Sequence, residues 1–216
     1  IPVVSTLPMQ RWLAEAKLPV VIAGSNHPDF DLPSVDQDYH GIGRHAAGAL
    51  IAHGHRRLGL VLKKVLSSGD EATVEGFAEG VLHASAKADI SIRRVDETRA
   101  GVERLMHQWL AGARGPTGML VANPHCFLTA ATCVAAHHLG AGRALLSRDD
   151  DALLDYIAPP PPRYRAAPEA FARSVGSLVH QVLEGRSIVH RQIRLVPEFI
   201  PGAGIRACLG SATAQR

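Results

Sequence analysis

Four polar side chains stand just past the ends of apolar runs: Asp70 after residues 58–62, Asp96 after 90–95, Asn123 after 116–122 and Asp149 after 143–147. In an open parallel sheet, ligands bind in the crevice beyond the carboxyl ends of the strands. Three carboxylates and an amide converging there suit a small ligand bearing hydroxyl or amine donors. Each residue alone has a simpler use, since Asp and Asn also cap helix N-termini at such positions. The set together favours a ligand rim.

Covalent and redox chemistry find no matching pattern. There is no Gly-x-Ser-x-Gly elbow, no Gly-x-x-x-x-Gly-Lys phosphate loop and no Gly-x-Gly-x-x-Gly run between a strand and a helix. Cys126, Cys133 and His137 share one helix face, but a rise of about 1.5 Å per residue sets the two sulfurs roughly 10 Å apart, too far for one zinc ion. They are expected to be core cysteines, with no metal and no other cofactor. The expectation is a binding module, not an enzyme.

Holding such a rim requires alternating strands and helices, and the chain supplies them. A β-branched run at 18–24 ends in glycine, and residues 34–37 extend briefly. Residues 39–52 are alanine-rich, with Ile42, Ala46, Ala49 and Leu50 at helical spacing and Gly54 as a C-cap. Strands are predicted over 58–62, 90–95, 116–123 and 143–147. Helices are predicted over 8–17, 72–86, 102–112, from 123 to about 138, and from Pro168 for about sixteen residues. This alternation gives an α/β class with right-handed βαβ units and parallel sheets. The proline run APPPPRYRAAP at 158–168 reads as an extended connector between lobes, and IRLVPEFI near the end as one strand.

Composition sets the outer limits. With 216 residues, 46% hydrophobic and 20% charged, the chain is globular and large enough for two small lobes. No apolar run approaches the roughly 18 residues of a membrane span, so no membrane partner is expected. The net charge of +3 comes from scattered pairs such as Arg56-Arg57, Lys63-Lys64 and Arg93-Arg94, which read as solvated surface and not as a DNA-binding face. Three cysteines are too few and too odd for a disulfide framework, which fits a reducing, cytoplasmic setting.

The run PSVDQDYHGIGRHAAGALIAHGHRRLGLVL resembles the effector-binding core of LacI/GalR-type transcriptional regulators. So do the segment from Gly69 to Phe77, PTGMLVAN, SRDDD and LVPEFIPGAGI. The resemblance implies a periplasmic-binding-protein-like type I fold with two Rossmann-like lobes. One lobe would take residues 1–54 and 165–190, the other 55–157 and 193–205, with the helix from Tyr39 closing the first, Gly54-His55 the hand-over, and 206–216 a disordered tail. Since the chain opens at Ile1, within an apolar run, the first lobe is expected to be truncated.

The implied function is that of a homodimeric regulator. A sugar or related small-molecule effector sits in the cleft, and operator DNA is contacted through an N-terminal helix-turn-helix lying outside this sequence. A solute-binding protein of a transport system is the alternative on the same fold. By resemblance the effector contacts fall on Asn123 and Asp149, with Asp38 and Asp96 near other pocket positions and Phe171 stacking from one lobe. Thr73 occupies the place of the family's pocket arginine, which implies that the cleft lacks that guanidinium.

Overall fold

In a computed structural model of the chain, residues 5–16, 18–84, 87–137, 142–186, 188 and 191–202 are described. The opening IPVV run, His138, Cys208 and the tail 206–216 lie outside the described residues. The elements run α1 (Leu7–Glu15), β1 (Ile22–Ala23), β2 (Ser34–Gln37), α2 (Tyr39–Ala52), β3 (Arg57–Lys63), α3 (Ser68–His83), β4 (Asp89–Val95) and α4 (Arg99–Ala111). They continue with β5 (Gly118–Val121), α5 (Pro124–Ala136), β6 (Ala144–Ser147), β7 (Arg163–Arg165), α6 (Pro168–Leu183), β8 (Gln192–Leu195) and β9 (Glu198–Ile200). The α/β alternation read from the sequence is the alternation observed.

Two sheets form. The smaller is parallel, with order β1-β2-β8. Its two faces follow the two-residue period of a strand: Val20 and Ile22 pack with Leu13 of α1, while Val21 and Val35 pack with Leu178 of α6. The larger has order β4-β3-β5-β6-β7-β9, parallel throughout except for the antiparallel β7–β9 pair. Leu58, Leu60 and Leu62 of β3 face Ile42, Leu50 and Phe77 from α2 and α3. Val61 and Met119 turn the other way, toward Met106 and Trp109 of α4 and Phe127 of α5. Burying β3, β5 and β6 on both faces is why these segments are so apolar, whereas β4, at the sheet edge, is largely exposed and carries Asp89, Arg93 and Arg94.

Three features depart from the expected layout. First, α2 packs on the larger sheet, not the smaller, because its stripe of Ile42, Ala46 and Leu50 is buried in the core of β3, β5 and β6. The chain therefore crosses between lobes at Asp38, and not at Gly54-His55. Contact with α3 fixes this placement: a Cβ at Gly76 would collide with the His40 carbonyl, so only glycine allows the two helices to approach this closely.

Second, IRLVPEFI is two strands in two sheets. Ile193, Arg194 and Leu195, expected in the second lobe, pair with Val35, Asp36 and Gln37 of the smaller sheet, whereas Glu198, Phe199 and Ile200 pair with β7 of the larger. Pro197, which has no N–H to donate, sits at the break. Third, the supposed connector 158–168 contains β7, seated between β6 and β9. Arg163, Tyr164 and Arg165 follow the prolines and retain the backbone donors a ladder requires.

The chain thus crosses between sheets three times, at 37–39, 165–168 and 195–198. Helix α3 opens with a capping box, in which the Ser67 side chain accepts from Asp70 N–H and the Asp70 carboxylate accepts from Ser67 N–H. Among the described residues, no helix is long and apolar enough to cross a membrane.

Candidate functional site

The carboxyl ends of the strands in both sheets border one cavity of about 480 Å³. From the smaller sheet come Gly24 and Ser25 after β1, and Asp36 and Gln37 at the end of β2. From the larger come Lys63 at the end of β3, Ser67 and Ser68 at the start of α3, and Arg148 just past β6. All three crossings contribute as well, through Gln37 and Tyr39, through Ala166 to Pro168 with Phe171, and through Leu195 to Pro197. The cavity therefore borders both sheets and every segment that joins them.

Arg148 anchors the wall on the larger lobe. Its Nε and Nη2 donate to the two carboxylate oxygens of Asp149 at 3.1 and 3.0 Å, and its Nη1 donates to Asp70 Oδ1 at 2.7 Å and to Thr73 Oγ1 at 3.3 Å. The guanidinium lies 4.6 Å from the centre of the Tyr39 ring. These bonds engage four of the five guanidinium N–H groups. Burial works against the Arg148 charge, but Asp149 and Asp70 outweigh it and lift its pKa above the ordinary arginine value. Burial alone would also raise the Asp70 carboxyl, yet the Ser67 backbone N–H and Arg148 hold it below the usual Asp range. Lys63 completes the cluster, with its Nζ 3.4 Å from Asp70 Oδ2.

Asp36 anchors the opposite wall. It accepts from Ser25 Oγ–H through Oδ2 and from Gln37 N–H at 2.8 Å through Oδ1. Burial raises its pKa; the hydrogen bonds and the charge of Arg148 pull the other way, and Asp149 adds to the rise. The lobes meet closely beside it. A Cβ at Gly69, in the first turn of α3, would lie 2.8 Å from Ser25 Oγ and 2.7 Å from the Tyr39 ring.

The residues expected at the site do not converge as a rim. Phe171 lines the cavity. Thr73 and Asp149 touch it only through Arg148, the first fully buried and bonded to the Gly69 carbonyl at 2.8 Å. Asp38 caps α2 by accepting from Gly41 N–H at 2.9 Å, and borders a smaller neighbouring cavity of about 60 Å³. Asn123 caps α5, accepting from His125 and Cys126 N–H at 2.8 and 3.2 Å, and donates to Glu97. Asp96 is exposed and 3.4 Å from Lys64 Nζ. Neither Asn123 nor Asp96 borders the cavity.

Asp36, Lys63, Tyr39 and Arg148 were not among the expected residues. Lys63 and Arg148 end buried strands just as the expected acidic residues do, but the sequence offers Lys63 only as half of a surface pair with Lys64, and Arg148 only as part of SRDDD. Thr73 carries no guanidinium, but that of Arg148 lies against it, with Nη1 donating to the Thr73 hydroxyl. Among the described residues, no group of three or more His, Cys, Asp and Glu could hold a metal ion.

The sequence matches the family model described as periplasmic binding protein-like domain over residues 47–204. The chain belongs to that family. Its periplasmic-binding-protein-like fold is also that of solved transcriptional regulators. A regulatory protein of the LacI family from Chloroflexus aggregans superposes with a TM-score of 0.81 at 26% identity, over 91% of this chain and 72% of that one. The transcription regulator CcpA of Lactococcus lactis gives a TM-score of 0.78 at 16% identity, over 92% and 74% of the two chains. A LacI family transcriptional regulator from Enterococcus faecium, solved with bound ribose, gives 0.75 at 16% identity, over 93% and 75%. A search of curated protein sequences returned no match. The periplasmic-binding-protein-like domain and its LacI-type likeness, read first from residues 34–62 and PTGMLVAN, are therefore borne out.

Proposed function

We propose that the chain is the effector-binding domain of a LacI-type transcription regulator, and that a sugar or related metabolite occupies the cavity between its lobes. The observation that carries this reading is the position of the cavity, lined at once by Asp36, by Lys63 and Arg148, and by all three crossings. A ligand bridging Asp36 and Arg148 contacts one relative placement of the two lobes better than others, and that difference in affinity is what shifts a conformational equilibrium. Regulation then follows when the lobes report to operator DNA through a helix-turn-helix on the same polypeptide, in a homodimer. The neighbour solved with ribose and the family match support this reading.

Among the expected contacts, Phe171 stacks on the ligand, Asp149 and Thr73 serve by holding Arg148, and Asp38, Asn123 and Asp96 act as helix caps and surface pairs. The test is a thermal-shift screen of sugars, nucleosides and amino acids. At a concentration of roughly 100 times Kd, a specific ligand stabilises the fold by about 2.7 kcal/mol. The expected result is stabilisation by a sugar-like compound that Asp36→Ala abolishes without loss of cooperative unfolding. Stabilisation that persists unchanged in Asp36→Ala, or its absence across the whole library, overturns the reading.

A further inference from the structure

The charges of the cavity are unevenly neutralised. Both cations that line it are already paired from behind: Arg148 with Asp70 and Asp149, and Lys63 with Asp70. Asp36 lines the same cavity, is partly buried, and has only a hydroxyl and a backbone N–H as partners. Among the described residues, no Lys, Arg or His nitrogen comes within 4 Å of its carboxylate. Counting Asp36, Asp70 and Asp149 against Lys63 and Arg148, these five groups carry one carboxylate in excess, and it is Asp36; Arg194, its neighbour in strand register, lines the adjoining smaller cavity with it but forms no ion pair with it.

We propose that the effector bears a cationic nitrogen beside its hydroxyls, seated against Asp36, so that the bound ligand supplies the counter-charge the cavity lacks. This rests on the reading of the cavity as the effector site and narrows the ligand to amine-bearing polyols such as amino sugars. A neutral sugar can donate hydroxyls to Asp36 but leaves the excess charge in place, and an acidic sugar adds to it. A buried carboxylate without a counter-cation disfavours its own ionised form, which is the direction in which burial moves Asp36. Phe171 also lines the cavity, and aromatic rings attract cations. The Tyr39 face is already taken by Arg148.

The experiment is calorimetric titration of the wild-type chain with ring-matched triplets: glucose, glucosamine and glucuronate, and galactose, galactosamine and galacturonate. In at least one triplet the amine is expected to bind roughly tenfold or more tightly than the neutral sugar, with the uronate weakest, since truncating one partner of a buried charge pair commonly costs at least that much. In Asp36→Asn the amine's advantage disappears. Because the wild-type comparison decides the matter by itself, poor folding of the variant does not rescue the idea. If a neutral sugar or uronate binds as tightly as the amine, the charge inference fails while the effector site stands. If no member of either triplet binds, the inference is overturned, and the screen of the wider library decides separately on the site.

Discussion

The two lobes are built to different standards. The larger has six strands with helices on both faces, and its core includes Leu58, Leu60, Leu120, Phe77, Met106 and Phe127, each at most 2% exposed. Among the described residues, the smaller has three strands, one of only two residues, and leaves Trp12 58% exposed and Leu18 49% exposed. Their contributions to the cleft differ in the same sense. The larger lobe holds its cations in a buried lattice of Asp70, Thr73, Asp149 and Tyr39, whereas the smaller lobe offers Asp36 with two light hydrogen-bond partners. On the proposed reading of the cavity, the larger lobe is the preorganised half of the site, and the smaller is the half that a ligand completes.

Breaking the lattice is the sharpest way to test that contrast. Arg148→Ala leaves the buried Asp70 with Lys63 alone, 3.4 Å away, and takes the cation from the partly exposed Asp149; removing one partner of a buried pair costs up to about 3–5 kcal/mol. Denaturant unfolding should show the loss mainly in the larger lobe; a cost below about 1 kcal/mol would mean that the lattice is not what orders this wall.

Acid offers a somewhat smaller and equally lobe-specific perturbation. His55, fully buried beneath α2 and β5, has its pKa pushed down to about 4 by burial and by the neighbouring His53 and Arg56. The unfolded chain takes up this proton near pH 6.5, and the folded lobe refuses it until about pH 4. Stability is therefore intact above pH 6.5 and falls as the pH drops toward 4, by roughly 3 kcal/mol in all. Replacing His55 with Leu should remove that part of the slope in urea midpoints measured across the interval. An identical slope in wild type and variant would contradict it.

Much of the fold was legible because it rests on local pattern. The helix expected from Tyr39 to Ala52 is observed with those bounds, and strands ending at Lys63 and Ser147 appear within a residue of expectation, since a buried parallel strand writes itself as a short continuous apolar run. What periodicity cannot say is which sheet a buried face meets. The stripe Ile42, Ala46, Leu50 marks an apolar face, but it is the close approach allowed by Gly43, Gly76 and Gly80 that ties it to α3 and the larger lobe.

The site was less legible for a related reason. Asn123 and Arg148 both follow buried strands, and nothing in their spacing tells that the amide turns back onto its own helix while the guanidinium crosses to a carboxylate 78 residues away. Asp36 was hidden differently, inside a four-residue strand too short to announce its carboxyl end. Resemblance to a family pointed to a cleft between lobes, but it could not foresee that Thr73 meets a guanidinium from position 148.

Backbone hydrogen exchange with and without a saturating ligand from the sugar screen tests the central claim most directly. Binding between the lobes predicts slowed exchange at residues 24–25, 36–39, 63–68 and 147–149 and at the crossings 166–168 and 195–197, with 96–97 and 123–126 unchanged. Protection confined to 96–97 and 123–126, with the crossings unaffected, would place the ligand on the outer rim of the larger lobe and contradict the account.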